Sequence, residues 1–353
     1  MADVVVAGRG LIGLCVATAL AERKLEVILV SEPRLGEASR AAAGMLAPSV
    51  ERATGPARDF GIAARDRYPS YVEFLAERTG IQVSLDRNGI LQVALSAQGV
   101  KGLRRSASPD SSWLEAATLA KMEPALSHAL GAVHNPLDGA VDNVALFGAL
   151  EALVSKTDRI RVENDVVLSV SRGGDSTTVK TMKGRVISAG FTVIAAGAWS
   201  AHIDGARLAG AVAPVKGQLV AYAAVPVRHV AYGPRGYLVP RGNSTIAGST
   251  MERTGFDPTT SVEGVSKIRS AAVEICPALA RSEVARRWGG LRPVTPDMLP
   301  LLGPDPEAPR IIYACGHSRN GVLMAPLTGD IIADLVTGSP LRHDLSQFRP
   351  DRF

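Results

Sequence analysis

The stretch that most constrains this chain is its first: Val4-Val5-Val6-Ala7-Gly8-Arg9-Gly10-Leu11-Ile12-Gly13. Val4 to Ala7 read as a buried parallel strand, because strands covered on both faces show an unbroken apolar run. Gly8, Gly10 and Gly13 follow as G-x-G-x-x-G, and Leu14 to Glu22 read as a helix. Gly8 allows the sharp turn from strand to helix, Gly10 lets a pyrophosphate approach the backbone, and Gly13 lets the helix lie close on the sheet. The helix N-terminus adds free N–H donors and a partial positive charge. A second apolar strand, Val27 to Val30, completes the βαβ context that a dinucleotide site needs. An acidic residue ending that strand would take the ribose hydroxyls. Ser31 stands at the first such position and Glu32 one place later, so Glu32 is the expected ribose ligand. A purely structural βαβ unit is the competing reading.

At 353 residues the chain is long enough for two domains, or for one large domain carrying an insertion. Its formal charge of +5 is spread thinly, with only short basic pairs such as Arg104-Arg105 and Arg286-Arg287. No basic stripe interleaved with aromatics is present, which argues against nucleic acid as a partner. The three cysteines, Cys15, Cys276 and Cys315, fit neither a zinc site nor a disulfide framework, so a reducing compartment is expected. The N-terminus lacks a basic segment ahead of its apolar run, and that run falls short of the roughly 20 residues a bilayer needs. A cytoplasmic protein with no signal peptide and no membrane partner follows. A homo-oligomer remains open.

Beyond Glu32, the small residues of Ser39-Arg40-Ala41-Ala42-Ala43-Gly44-Met45-Leu46 suit close approach of backbone to a large flat ligand, with helix packing as the alternative. Residues 57–79 read as one amphipathic helix, and 97–106 and 115–122 as two more. A strand lies within Leu85–Leu95, the stretch 128–142 is rich in Gly and Pro, and Asn143 can cap a helix running to about Ser155. Short strands follow, the last of them, Phe191 to Ala195, ending at Ala196-Gly197, a second place where backbone can meet a cofactor. Alternation from 211 to 251 reads as an antiparallel sheet, followed by a helix at about 261–275. The chain closes with strand Ile311 to Cys315, the loop Gly316 to Gly321, and a helix over Pro326 to Val336 with its proline near the first turn. This order predicts an α/β fold with a discontinuous, Rossmann-like cofactor domain over 1–85, 143–212 and 285–353. An α+β substrate domain on an antiparallel sheet would occupy 86–142 and 213–284.

Six segments taken in order resemble the FAD-dependent glycine oxidase/D-amino acid oxidase family. They are the N-terminal glycine motif, Ala41-Ala42-Ala43-Gly44-Met45-Leu46, Pro214-Val215-Lys216-Gly217-Gln218, Tyr237-Leu238-Val239-Pro240-Arg241, Gly290-Leu291-Arg292-Pro293, and Gly316-His317-Ser318-Arg319-Asn320-Gly321. The resemblance implies FAD contacts at Leu11 and Ile12, at Ser31 and Glu32, and at Ala38, Ser39, Ala43, Gly44 and Met45. Val166 or Val167 would meet the adenine, and His317, Ser318, Arg319, Asn320, Gly321, Val322 and Leu323 the isoalloxazine. It further implies that Arg292 and Arg319 bind a substrate carboxylate with Tyr237 closing over it. Ser318 departs from the family pattern, which carries an aromatic there, and Ser31-Glu32 reverses the usual acid-first order.

These residue types suit the chemistry. A guanidinium fixes a carboxylate in position and plane through two parallel hydrogen bonds, whereas the ordinary role of an arginine is a surface ion pair. Tyr237 offers a phenol donor or is simply a half-buried strand aromatic. Met251 is a candidate pocket wall or a plain core methionine. The resemblance implies oxidation of glycine, and of sarcosine or small D-amino acids, to the imine and then glyoxylate or an α-keto acid, with molecular oxygen reoxidising the flavin to give hydrogen peroxide. It also implies a place in thiamine thiazole biosynthesis. Alternatives are a D-amino acid dehydrogenase passing electrons to a quinone or carrier, a non-catalytic flavin-binding subunit, and an NAD-dependent dehydrogenase.

Overall fold

The computed structural model describes residues 2–51 and 53–353. Strand Ala2–Ala7 pairs in parallel with Val27–Val30 on one side and Val186–Ile194 on the other. Ile160–Glu163 and Ile311–Cys315 extend this parallel core outward. Side chains alternate across a strand, so Val4 and Val6 enter one core with Leu14, Leu146 and Ile331, while Val5 and Ala7 enter another with Val179, Ile203 and Tyr313. Both faces are covered, as the unbroken apolar run requires. Val167–Arg172 and Thr177–Thr181 add an antiparallel flank.

The second sheet has eight strands in the order 284–294, 213–222, 244–248, 237–241, 230–232, 90–94, 131–135, 112–115. It is antiparallel except where Val230–Tyr232 runs parallel to Ile90–Ala94. Helix Val262–Ile275 covers one face through Ile268 and Ala272. The other face presents Leu219, Tyr237, Val239 and Ile246 to Ala43 and Ala47. Strand Val284–Val294, expected from residue 285 on to belong with the cofactor-binding part, pairs along its length with Ala213–Tyr222 of this sheet. Its last residue, Val294, then bridges to His317. One strand thus carries Arg292 to the loop that follows the last parallel strand.

Three local expectations are corrected. The single helix over 57–79 is two, Gly55–Asp66 and Tyr68–Thr79, separated at Arg67. Pro69 has no N–H to continue the ladder, and its ring opposes the carbonyl four residues back. The cap of the helix Asn143–Ser155 is Asp142, whose carboxylate accepts from the N–H groups of Val144 and Ala145, both at 3.0 Å. The last helix begins at Gly321, so Pro326 lies inside Gly321–Thr337. Proline there leaves the Val322 carbonyl without its helical donor, and the buried Tyr68 hydroxyl donates to that carbonyl instead.

Candidate active site

At the first turn Gly8 has φ +115°, and a β-carbon on it would fall 2.3 Å from the Ala195 carbonyl oxygen; one on Gly13 would fall 1.9 Å from that of Gly8. Strand, turn and helix therefore come together only with glycine at these two positions. Gly13 serves this packing and does not line the space beyond. The Leu11 N–H donates to Ser39 Oγ at 2.9 Å, tying the turn to the small-residue loop.

A cavity of about 640 Å³ opens from this turn and is lined by both sheets. Ser31, Glu32, Val166 and Val167 lie at one end. Gly8, Gly10, Leu11, Ile12, Ala38 and Ser39 line its middle, with Ala43, Gly44, Met45, Ala196 and Gly197. At the other end are Tyr237, Met251, Arg292 and the run His317, Ser318, Arg319, Asn320, Gly321 and Val322. Leu323 is instead buried in the core under the last helix, because one helical step turns it away from the side on which Val322 lies. Met251 lines this end of the cavity while 53% exposed, so it stands at the rim.

These residues fit FAD. Glu32 would meet the ribose, although its carboxylate is ion-paired to Lys183. N–H groups at the first turn would take the pyrophosphate, and those of Gly321 and Val322, at the N-terminus of the 17-residue last helix, would face the flavin end. FAD, when bound, accepts a substrate's electron pair and passes it on.

Arg292 donates from Nη1 to the Thr250 carbonyl oxygen at 3.0 Å and from Nη2 to Ser249 Oγ at 2.6 Å. Both acceptors are neutral, and among the described residues no carboxylate forms an ion pair with it. Burial pushes its pKa below the ordinary guanidinium value, so a cation stands in a partly desolvated place without its anion. Tyr237 lies beside it, its phenol pKa raised by burial.

Arg319 is different. Its Nη2 donates to Glu51 Oε1 at 3.0 Å and to the Tyr232 hydroxyl at 2.9 Å. Burial opposes its charge, but Glu51 and Tyr232 leave its pKa raised. Tyr232 stacks on Tyr237 at 6.2 Å between ring centroids. His317 is buried, with Nε2 3.1 Å from Thr328 Oγ1, and burial lowers its pKa to about 3. It is therefore neutral at pH 7 and a weak base.

Sequence reasoning assigned no role to Glu51, Tyr232, Ser249 or Thr250, nor to Arg241. Arg241 donates from Nη1 to Asn143 Oδ1 at 2.7 Å and from Nη2 to the carbonyl oxygens of Ala43 at 2.6 Å and Val141 at 3.0 Å. Asn143 in turn donates to the Ser39 carbonyl at 2.7 Å, and Trp288 Nε1 to that of Ala41 at 2.9 Å. The loop at the middle of the cavity is held at three carbonyls from outside. Arg241 stood within a motif already picked out, and that was the one available signal.

A parallel sheet with a glycine turn, and a long cavity ending at an arginine that has no carboxylate partner among the described residues, suit a flavin-dependent oxidoreductase. The chain belongs to the FAD dependent oxidoreductase (DAO) family, whose model matches residues 3–335. It is 35% identical to the glycine oxidase of Geobacillus kaustophilus over 98% of this chain and 96% of that one. The crystal structure of glycine oxidase from that organism superposes with a TM-score of 0.93 at 32% identity, covering 100% of this chain and 99% of the other. Identity is also 35% to the bifunctional protein ThiO/ThiG of Synechocystis sp., where 99% of this chain spans 54% of that protein's length. No helix among the described residues is long and apolar enough to cross a membrane.

Proposed function

We propose that this protein is an FAD-dependent oxidase of glycine, acting also on sarcosine or small D-amino acids. The observation that carries this reading is Arg292, a half-buried guanidinium that among the described residues is bonded only to neutral oxygens, at the flavin end of the cavity. A carboxylate completes it by the bidentate geometry that guanidinium favours, and so fixes the α-carbon against the cofactor. The α C–H bond would give up its hydrogen with the electron pair to the bound cofactor while the nitrogen lone pair closes the C=N bond, which requires the amine to arrive unprotonated; the resulting iminium then loses a proton to give the imine. Molecular oxygen takes the two electrons as hydrogen peroxide, and water hydrolyses the imine to glyoxylate and ammonia. Neutral His317 is held by Thr328 and keeps its place without adding charge. The similarity to glycine oxidase and to ThiO/ThiG supports glycine as substrate and supply of the imine to thiamine thiazole formation.

The test is the absorbance spectrum of purified protein with glycine under anaerobic conditions, followed by readmission of oxygen. Bleaching of the flavin band, then its return with stoichiometric peroxide, is expected. No bleaching would refute amino acid oxidation. Bleaching without reoxidation by oxygen would assign the protein as a dehydrogenase using another acceptor.

A further inference from the structure

The two arginines at the flavin end differ in how their charge is met. Among the described residues Arg292 has neutral acceptors only, whereas Arg319 already faces Glu51 at 3.0 Å. Arg319 and the two groups it bonds come from separate parts of the chain: Glu51 from the loop before helix Gly55–Asp66, Tyr232 from the end of strand Val230–Tyr232, and Arg319 from the loop before the last helix. Their convergence places a fixed carboxylate in the same cavity as the carboxylate anchor. The charge of Arg319 is felt at both Arg292 and Tyr237, so the two guanidiniums belong to one site.

We propose that Glu51 is a specificity-determining residue: by occupying Arg319 it confines the site to amines bearing a single carboxylate and rejects glycines carrying a second carboxymethyl group on nitrogen. This rests on the reading of Arg292 as the carboxylate anchor. With Arg319 unoccupied, the cavity would hold two cations and would suit a dicarboxylate. With Glu51 present, a second carboxylate meets a like charge and a guanidinium whose best hydrogen-bonding edge is taken. Specificity of this kind comes from the repulsive element as much as from the attractive one. The simpler role, a clip between the loop and the last helix, makes a different prediction: losing it would loosen the fold and leave ligand choice alone.

The test titrates the flavin absorbance of the FAD-loaded protein with two ligands that cannot form an imine. Acetate carries one carboxylate. Diglycolate carries two, with an ether oxygen in place of the nitrogen of iminodiacetate. In Glu51→Gln the preference for diglycolate over acetate should rise about tenfold or more, since an unpaired cation replaces a like charge. The ratio of kcat/KM for iminodiacetate over glycine should rise with it. Adding Arg319→Gln to Glu51→Gln should abolish the gain. Glu51→Ala provides a second variant should Glu51→Gln fail to fold. An unchanged ligand ratio in folded, flavin-loaded Glu51→Gln or Glu51→Ala overturns the proposal, as does a gain that survives removal of Arg319. If wild-type protein binds no acetate, the anchor reading itself fails, and this is seen separately from the Glu51 result.

Discussion

A β-carbon on Gly217 would lie 2.1 Å from Arg292 Nη1 and 2.3 Å from Nη2. The guanidinium lies over the backbone of the neighbouring strand, in space that only glycine leaves free. Gly217→Ala should therefore push Arg292 off its bonds to Ser249 and Thr250 while leaving the cofactor end intact. A displacement of about 1 Å at a positioning group costs on the order of 100-fold in rate. Steady-state glycine kinetics with flavin content measured alongside is the check. Normal kinetics in Gly217→Ala would show that Arg292 does not need this seat.

Removing Arg292 itself should cost more. Truncating one partner of a buried charge pair costs about 2–5 kcal/mol, roughly 30- to several-thousand-fold in affinity. Arg292→Ala should raise the glycine KM by that order with FAD content preserved. Arg292→Lys should recover only part, because an ammonium lacks the planar fork. A near-normal KM would move the anchor elsewhere.

Arg241 tests the cofactor loop and not the substrate. Arg241→Met removes bonds to Ala43, Val141 and Asn143. Charge-assisted hydrogen bonds contribute about 1.5–3 kcal/mol each, so FAD should bind roughly tenfold or more weakly, and the variant should purify partly colourless. Dialysis against buffer followed by FAD titration reads this directly. Full flavin retention would show that the loop holds its shape unaided.

His317 predicts a pH dependence. Its folded pKa is about 3 against an ordinary 6.5. Between those values the unfolded chain binds a proton that the folded chain does not, so stability rises with pH and is lost as pH falls through this window. The slope from one such group is about 1.4 kcal/mol per pH unit. Urea unfolding of His317→Gln between about pH 4 and 6 should show a slope shallower than wild type by that amount. Parallel curves would mean that His317 stays solvated in the native protein.

What the sequence made legible was local. The glycine turn, the strands on either side of it and the small-residue loop follow from rules that act within a few residues, and the structure puts them around one cavity. The family resemblance singled out Arg292, Tyr237 and Arg319. What stayed hidden depends on contacts far apart in the chain. Glu51 meets Arg319 across 268 positions, and Arg241 reaches Ala43 across 198. Pro326 was misplaced for the same reason: its position marks a helix start locally, but Tyr68, 254 positions away from Val322, supplies the missing donor. The break at Arg67 was different, since Pro69 stood in plain view and its effect on the ladder is local.

Because one cavity is walled by Val30 and Val167 of the first sheet and by Leu219 and Tyr237 of the second, whatever fills it is gripped by both halves at once. Its binding energy then counts toward the cohesion of the whole chain: a cofactor at a thousand times its Kd adds about 4 kcal/mol against unfolding. A chain loaded with FAD should therefore outlast an empty one against proteases.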